Sequence, residues 1–379
     1  MTTRRGVLKL VGGGCVLAAG GIGAFVAANE PSRSARAPWR EAGQETEFRR
    51  SALSYAILAP NPHNRQPWLV RLDGDDALTL YCNLDRRLPA TDPHDRQIVI
   101  GHGTFLELLA LAAAEDGYGT EITSFPDGED MTTLDTRPVA SVKFIAEAGE
   151  PNPLFAYTLA RHTNRQPFEA RDVEADALAA VLSSGNVQGV TAGGCGNDGM
   201  AASLRDLTWR AHSVEMTTDY TNQESVDLMR IGAKEVTANP DGLFLEGPVF
   251  ALGKLAGVIN REAMADPNSS MSQQGMTMFH EAAQSARAFA WLCNSGKTRA
   301  SQIAAGRAYM RLVLAAEREG LKVHPWSQSL QEYPEMAGLY SEVHDLIGGG
   351  QRLQMLVRVG YAKPVVPAPR WPMETHLIA

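Results

Sequence analysis

A proline-rich polar segment joins a predicted helix to a predicted strand early in the chain. It reads Ala59-Pro60-Asn61-Pro62-His63-Asn64-Arg65-Gln66-Pro67-Trp68. Because proline fixes φ, the three prolines hold the polar groups between them in place before any ligand arrives. A preset loop of this kind suits a flat ligand. The alternative is a rigid connector whose Asn and Gln side chains satisfy their own backbone.

A second polar segment places two arginines around a hydroxyl group. It reads Arg161-His162-Thr163-Asn164-Arg165-Gln166-Pro167-Phe168. Guanidinium groups offer planar, paired donors, so two of them with a threonine can converge on one phosphate. In an acidic protein this spacing predicts a local positive site. The alternative is a solvated basic patch.

The other reactive side chains carry weaker signals. His280-Glu281 lacks the second histidine of a metalloprotease helix, and Gly193-Gly194-Cys195-Gly196 lacks the context of a phosphate-binding loop and is interpreted as a turn. Four cysteines are too few and too scattered for a disulfide framework or a zinc site. We therefore expect no metal site and assign no certain catalytic side chain, although His63 and His324 are candidate proton donors.

Hydrophobic periodicity predicts the elements that position the two polar segments. The predicted helices cover residues 47–59, 96–116 and 299–319, and the predicted strands cover 68–72, 78–81, 139–145 and 353–361. This mixture of helices and strands indicates the α+β class.

The two long helices have matching landmarks. A shift of 203 residues aligns Gly103 with Gly306, Leu109 with Leu312 and Gly117 with Gly320. The match predicts two related halves, residues 47–150 and 151–379, that form a pseudo-dimer within one chain. A chance match of two Ala- and Leu-rich helices is the alternative. Residues 213–275 have no counterpart in the first half and are interpreted as an inserted helical lid.

Composition and charge limit the classes of function. The chain has 379 residues with 35 basic and 43 acidic side chains, a net charge of −8. This balance argues against a nucleic-acid partner, because phosphate backbones require clustered Lys and Arg. Residues 29–46 are polar with two prolines and are interpreted as a linker.

Residues 1–28 have the three parts of an export signal. Thr3-Arg4-Arg5-Gly6-Val7-Leu8-Lys9 resembles a twin-arginine signal, and the uncharged stretch 11–28 follows it. We expect export to the periplasm or beyond, with cleavage near Ala28. The alternative is an uncleaved membrane anchor, although 18 apolar residues barely span a bilayer that needs about 20. Cleavage would leave 32 basic and 43 acidic residues, a net charge of −11, and three cysteines. A protein exported already folded often carries a cofactor.

Both polar segments together resemble the FMN-dependent nitroreductase family, and the arrangement looks like its Acg-type branch. The family has an arginine-rich entry, a segment of the type P-S-x-x-N-x-Q-P-W, a G-L-G-x-x-P stretch and a basic residue after the last strand. The corresponding residues here are 161–168, 60–68, 320–328 and Arg370. The order is shuffled relative to an ordinary member, and the doubled architecture accounts for this.

The resemblance implies a nitroreductase-like fold with one FMN per chain, bound between the two halves. It implies that Arg161, Thr163, Arg165 and Arg370 hold the phosphate. It implies further that Pro60, Asn61, Pro62, His63 and Asn64 contact the ring, and that Pro325, Trp326, Ser327 and Gln328 face its N5 edge. Gln66 and Trp68 are expected to be structural.

Three functions remain open from the sequence. The first is an FMN oxidoreductase that transfers hydride through flavin N5 to a quinone, nitro compound or enone. The second is a flavin-sequestering protein whose lid prevents turnover, and the third is an interaction protein that retains only the fold. The expected partners are a small-molecule electron acceptor, an unidentified reductant and the twin-arginine export machinery. Membrane contact is expected only through the N-terminal segment.

Overall fold

The computed structural model describes residues 29–187 and 189–379, in which helices and strands are mixed along the chain. The helices are α1 Ala37–Glu41, α2 Phe48–Ala56, α3 Arg96–Glu115, α4 Ala175–Gly185, α5 Gly199–Thr217, α6 Asp219–Asp227, α7 Ala233–Ala238, α8 Pro248–Leu255, α9 Arg261–Ala265, α10 Ser270–Gln284, α11 Arg299–Arg318 and α12 Ala337–Val343. The strands are β1 Trp68–Asp73, β2 Ala77–Cys82, β3 Tyr118–Ser124, β4 Ala140–Ala146, β5 Thr191–Cys195, β6 Met229–Ile231, β7 Leu243–Leu245, β8 Ala288–Asn294, β9 Lys322–Pro325, β10 Arg352–Gly360 and β11 Leu377–Ile378. The predicted α+β class is confirmed. The export signal predicted for residues 1–28 lies outside the described part of the chain.

The strands form two main sheets. One has the order β11-β1-β2-β4-β3 and the other the order β5-β8-β10-β9. The second sheet is antiparallel throughout, whereas β11 pairs with β1 in parallel. Residues of both sheets and of the long helices α3 and α11 share the main hydrophobic core.

The two long helices touch backbone to backbone at a pair of glycines. A Cβ atom on Gly103 would lie 2.3 Å from the carbonyl oxygen of Ile303, and one on Gly306 would lie 2.0 Å from that of Ile100. No side chain fits at either position, so glycine is required for this close approach. Helix α3 is also long and apolar enough to cross a membrane, but 89% of its most apolar window is buried inside the protein, as in a core helix.

Two predicted segment boundaries are wrong. Residues 29–46 are not a free linker, because Trp39 is buried and Arg36 forms an ion pair of 2.5 Å with Glu246. The C-terminal tail does not stay with the second half, since Leu377 pairs with Val70 of β1. Both errors have one cause: tertiary contacts with distant segments, which local polarity does not reveal, fix the two ends of the described chain.

The helical insertion is wider than predicted. It runs from α5 to α10, residues 199–284, between β5 and β8, and it includes a two-stranded parallel sheet of β6 and β7. We call residues 199–284 the lid segment. The predicted turn at residues 193–196 is also wrong, because Gly193 and Gly194 lie in β5 beside β8. A Cβ on Gly193 would meet the Trp291 indole nitrogen at 2.3 Å, so glycine makes room for that ring.

Candidate cofactor site

A cavity of about 270 Å³ lies between the loop 60–64, the arginine segment 161–165, the end of β9 and the lid segment. It is lined by the predicted residues Pro60, Asn61, Pro62, His63, Asn64, Arg161, Thr163, Arg165, Pro325, Ser327, Gln328 and Arg370. Segments far apart in sequence therefore meet at one site. Trp326 alone among the predicted cofactor residues does not line it.

The loop that follows α2 has an unusual backbone. His63, Asn64 and Gln66 have φ values of +46°, +53° and +50°, a region that residues other than glycine seldom adopt. Hydrogen bonds hold this conformation: the Gln66 N–H donates to Asn61 Oδ1 at 2.7 Å, and Gln66 Nε2 donates to the Pro240 carbonyl at 2.8 Å. Gln66 Oε1 accepts from the Trp371 N–H at 2.9 Å. The structural role predicted for Gln66 is confirmed.

Arg370 is buried at the C-terminal end of α2, and all five of its N–H donors are engaged. Nε donates to Ile57 O at 3.0 Å, Nη1 to Asn64 Oδ1 at 2.5 Å and Pro369 O at 3.0 Å, and Nη2 to Leu58 O at 2.9 Å and Ala59 O at 3.1 Å. A cation at this position complements the carbonyl end of the helix. Arg370 faces the cavity but has no donor left for a phosphate. It instead positions the loop through Asn64.

The arginine segment lies beside β9 and has few internal partners. Thr163 pairs with Val323 as an isolated parallel bridge, which fixes the direction of the segment. The Arg161 side chain is 5% exposed and donates only once, from Nη2 to the Leu58 carbonyl at 3.2 Å, while its buried Nε has no partner. Within residues 29–187 and 189–379, Arg165 has no hydrogen bond or ion pair, and unlike Arg161 it is exposed. Both arginines line the cavity, but only Arg161 is a buried cation with few partners.

The residues at the end of β9 do not all line the cavity as predicted. Trp326 is 1% exposed and donates its indole N–H to the Thr208 carbonyl at 3.2 Å, so the ring packs beneath the lid segment. Its backbone N–H donates to Leu356 at 2.9 Å. The prediction that Trp326 faces a flavin is wrong, because strand pairing with β10 turns its polar groups away from the cavity. Pro325 and Ser327 on either side do line it.

The two candidate proton donors are neutral in this environment. His324 accepts a hydrogen bond on Nδ1 from Arg358 Nε at 3.0 Å, and burial holds its pKa well below the usual value. Burial lowers the pKa of His63 to about 4, with the nearby charge of Arg165 as a second cause. Neither imidazole ring therefore carries a second proton at neutral pH.

The lid segment supplies cavity residues that the sequence analysis missed, among them His212, Glu215 and Ser225. His212 is 3% exposed, neither of its ring nitrogens has a partner, and burial lowers its pKa to about 4. His212 and Glu215 are three residues apart on α5, so they lie on one face of the helix. This spacing could have indicated from the sequence that the two side chains share a site. The sequence does not show which face of α5 meets the cavity.

The lid segment is attached to the loop by a buried contact. Asp241 forms ion pairs with Arg65 at 3.0 Å and Arg230 at 2.8 Å, and the Gly242 N–H donates to the Asn64 carbonyl at 3.2 Å. These contacts fasten the lid segment to the loop.

Comparisons with known proteins agree with the resemblance found in the sequence. No protein-family model matches the chain. It is 25% identical over 354 residues to a putative NAD(P)H nitroreductase of Mycobacterium tuberculosis, a match that spans 87% of this chain and 93% of the relative. The putative NAD(P)H nitroreductase acg of the same organism is 31% identical over 123 residues, 32% of this chain and 36% of the relative.

The chain is also similar to two solved structures. A putative nitroreductase from Anabaena variabilis has a TM-score of 0.44 at 10% identity, with 81% of this chain and 82% of that chain covered. The FMN-dependent nitroreductase NfnB from Mycobacterium smegmatis has a TM-score of 0.35 at 16% identity, with 57% and 92% covered. The similarity to the first of these curated relatives along 87% of the chain supports a nitroreductase-family oxidoreductase.

Proposed function

We propose that the chain is an FMN-binding oxidoreductase of the nitroreductase family. The observation that carries the proposal is Arg161, which lines the cavity, is 5% exposed and donates a single hydrogen bond, to the Leu58 carbonyl. A buried cation without a counter-charge is unfavourable, so this arrangement indicates that an anion completes the site. Arg165 lines the same cavity and is exposed, so it adds a second positive charge that an anion can reach. The long match to a curated NAD(P)H nitroreductase makes the FMN phosphate the best candidate for that anion.

The residues present fit FMN in charge and in their hydrogen-bonding groups. Arg161, Thr163 and Arg165 would hold the phosphate, and the loop 60–64 with Pro325, Ser327 and Gln328 would surround the ring. When bound, FMN supplies two-electron redox chemistry at N5. The protein binds it, orients it and excludes water, and Arg370 acts by positioning the loop.

We propose further that the electron acceptor is a small electrophile such as a quinone, nitro compound or enone. The long match to a curated putative NAD(P)H nitroreductase supports this class of acceptor. The arginine pair of the twin-arginine-like segment supports export. NAD(P)H is scarce outside the cytoplasm, so an exported enzyme requires another reductant, such as a membrane quinol. An uncleaved N-terminal anchor remains the alternative to a free periplasmic protein.

The proposed division into two related halves is supported by the contact between α3 and α11. Gly103 and Gly306, which the 203-residue shift relates, have Cα atoms so close that a Cβ on one would lie within 2.8 Å of the other's Cα. Residues on a twofold axis contact their own symmetry mates. The glycine pair therefore marks the expected position of a pseudo-twofold axis.

A second candidate is a flavin-sequestering protein. The buried contacts of Asp241 and Gly242 with the loop favour it, because they hold the lid segment against the cavity. In that case FMN would bind but would not turn over.

Absorption spectroscopy of the full chain separates these functions. A flavin spectrum with one FMN per chain is expected, and a colourless protein that takes up no FMN would contradict both flavin functions and leave an interaction protein. Rapid bleaching by dithionite followed by reoxidation with a benzoquinone indicates an oxidoreductase. Flavin that resists both reagents until Asp241 is replaced by Asn indicates sequestration.

A further inference from the structure

Two carboxyl groups line the cavity, and they differ in how they are held. Asp92 is 5% exposed and accepts a hydrogen bond from the Ile98 N–H at 2.9 Å, so it is tied to the first turn of α3. Glu215 lies near the end of α5 in the lid segment and is 4% exposed. Glu215 has no backbone donor that plays the same role.

The groups around Glu215 are neutral or acidic. Gln331 Nε2 donates to its Oε2 at 3.2 Å, and His63 Nε2 lies 3.9 Å from its Oε1. From α6, Ser225 and the carboxylate of Glu224 face it, and Gln328 and Tyr333 complete its surroundings. No Lys or Arg of the described chain forms an ion pair with it.

This environment favours the neutral acid. Burial raises the pKa of Glu215 to about 7, and the charge of Glu224 adds to the effect. Glu224 itself is fixed as an acceptor by the N–H groups of Ala90 and Thr91 at 2.8 and 3.0 Å. The amide oxygens of Gln328 and Gln331 are buried without a donor, so a protonated Glu215 also has acceptors nearby.

Two further polar groups lie next to this acid. His63 Nε2 lies 3.2 Å from Ser225 Oγ, within hydrogen-bond distance. Glu215, His63 and Ser225 therefore form one contiguous polar group on the cavity wall, contributed by the lid segment and the loop together.

We propose that Glu215 is the proton donor for reduction of the acceptor in this cavity, an inference that rests on the proposed function. Reduction of a quinone to a quinol takes up one hydride and one proton. The hydride, with its electron pair, comes from the reduced flavin. The proton comes from the Glu215 carboxyl O–H bond, which breaks to leave a carboxylate that is reprotonated from solvent. The lid segment would thus provide the proton donor as well as cover the cavity.

Infrared spectroscopy of the full chain tests the protonation state without any turnover. Burial also raises the pKa of the Asp92 carboxyl group, to about 6. We therefore expect two carboxylic-acid carbonyl bands in the wild type: one that titrates near pH 7 and is missing in Glu215→Gln, and one that titrates near pH 6 and is missing in Asp92→Asn. Persistence of the band that titrates near pH 7 in Glu215→Gln, or its absence from the wild type, would overturn the assignment.

The pH dependence of flavin reoxidation by a benzoquinone tests the proton transfer. The wild-type rate should fall about tenfold per pH unit above pH 7, because only the protonated acid donates. Glu215→Gln should react at least about tenfold more slowly at pH 6 and lose the slope, whereas Glu215→Asp should restore part of it. An unchanged profile in Glu215→Gln, or a slope lost in Asp92→Asn instead, would overturn the proposal.

FMN content, measured by absorbance for every variant, separates this inference from the proposed function. A wild-type chain that binds no FMN contradicts the proposed function. The infrared titration still decides whether Glu215 is the protonated acid.

Discussion

The loop and the arginine segment of the cavity use their arginines in different ways. At the loop, Arg370 donates five hydrogen bonds to protein oxygens, and Gln66 is bonded through both its nitrogen and its oxygen. In the arginine segment 161–165, Arg161 donates one hydrogen bond and Arg165 none within the part of the chain that the structure describes. The difference separates a scaffold that is complete without a ligand from a site that an anion completes.

Replacing Arg370 with alanine should have the largest effect on stability. The change removes one donor each from the carbonyls of Ile57, Leu58 and Ala59 and from Asn64 Oδ1, so the free energy of unfolding should fall by about 3 kcal/mol or more. Urea denaturation of the full chain measures it. An Arg370→Ala variant that is as stable as the wild type would contradict the structural role of Arg370 and leave its guanidinium available to bind the ligand.

Replacing Arg165 with alanine should leave stability unchanged and weaken the binding of FMN. Loss of one charge-assisted hydrogen bond to phosphate should lower FMN affinity by about 10- to 100-fold. Arg165→Lys keeps the charge but not the paired donors, so it should fall between the wild type and Arg165→Ala. Titration calorimetry of the three proteins measures the affinities, and equal affinities would remove Arg165 from the phosphate site.

Replacing Asp241 with asparagine should speed the release of FMN, and we expect this effect to be smaller than those of the two arginine substitutions. The change acts through the attachment of the lid segment. It weakens the contacts with Arg65 and Arg230, so FMN release should quicken by about tenfold or less. Asp206→Asn is the matched control, because Asp206 pairs with Arg210 on the exposed surface and that pair is worth little. Equal release rates in all three proteins would show that the Asp241 contacts do not retain the ligand.

The local elements could be predicted from the sequence because their signals are local. The helix predicted over 96–116 is observed as Arg96–Glu115, and the one predicted over 299–319 as Arg299–Arg318. Periodicity and the glycines after each helix are properties of a short window. The arginine segment and the proline-rich loop were found for the same reason.

The remaining parts of the site depend on long-range packing. Arg370 is committed to Asn64 only because the C-terminal tail crosses back to the first sheet. Glu215 reaches the cavity only because the lid segment folds over the loop, and a buried Glu is indistinguishable from a solvated one in sequence. Trp326 is turned away by its pairing with β10. Each of these depends on contacts across more than a hundred residues or between neighbouring strands.

The most direct test of the account compares FMN with riboflavin, which has the same ring but no phosphate. Equilibrium titration of the full chain should give one FMN per chain and an affinity at least about 100-fold higher for FMN than for riboflavin. In the double variant Arg161→Ala/Arg165→Ala this preference should disappear while weak riboflavin binding persists. A wild-type chain that does not distinguish the two flavins, or a double variant that keeps the preference for FMN, would contradict the account.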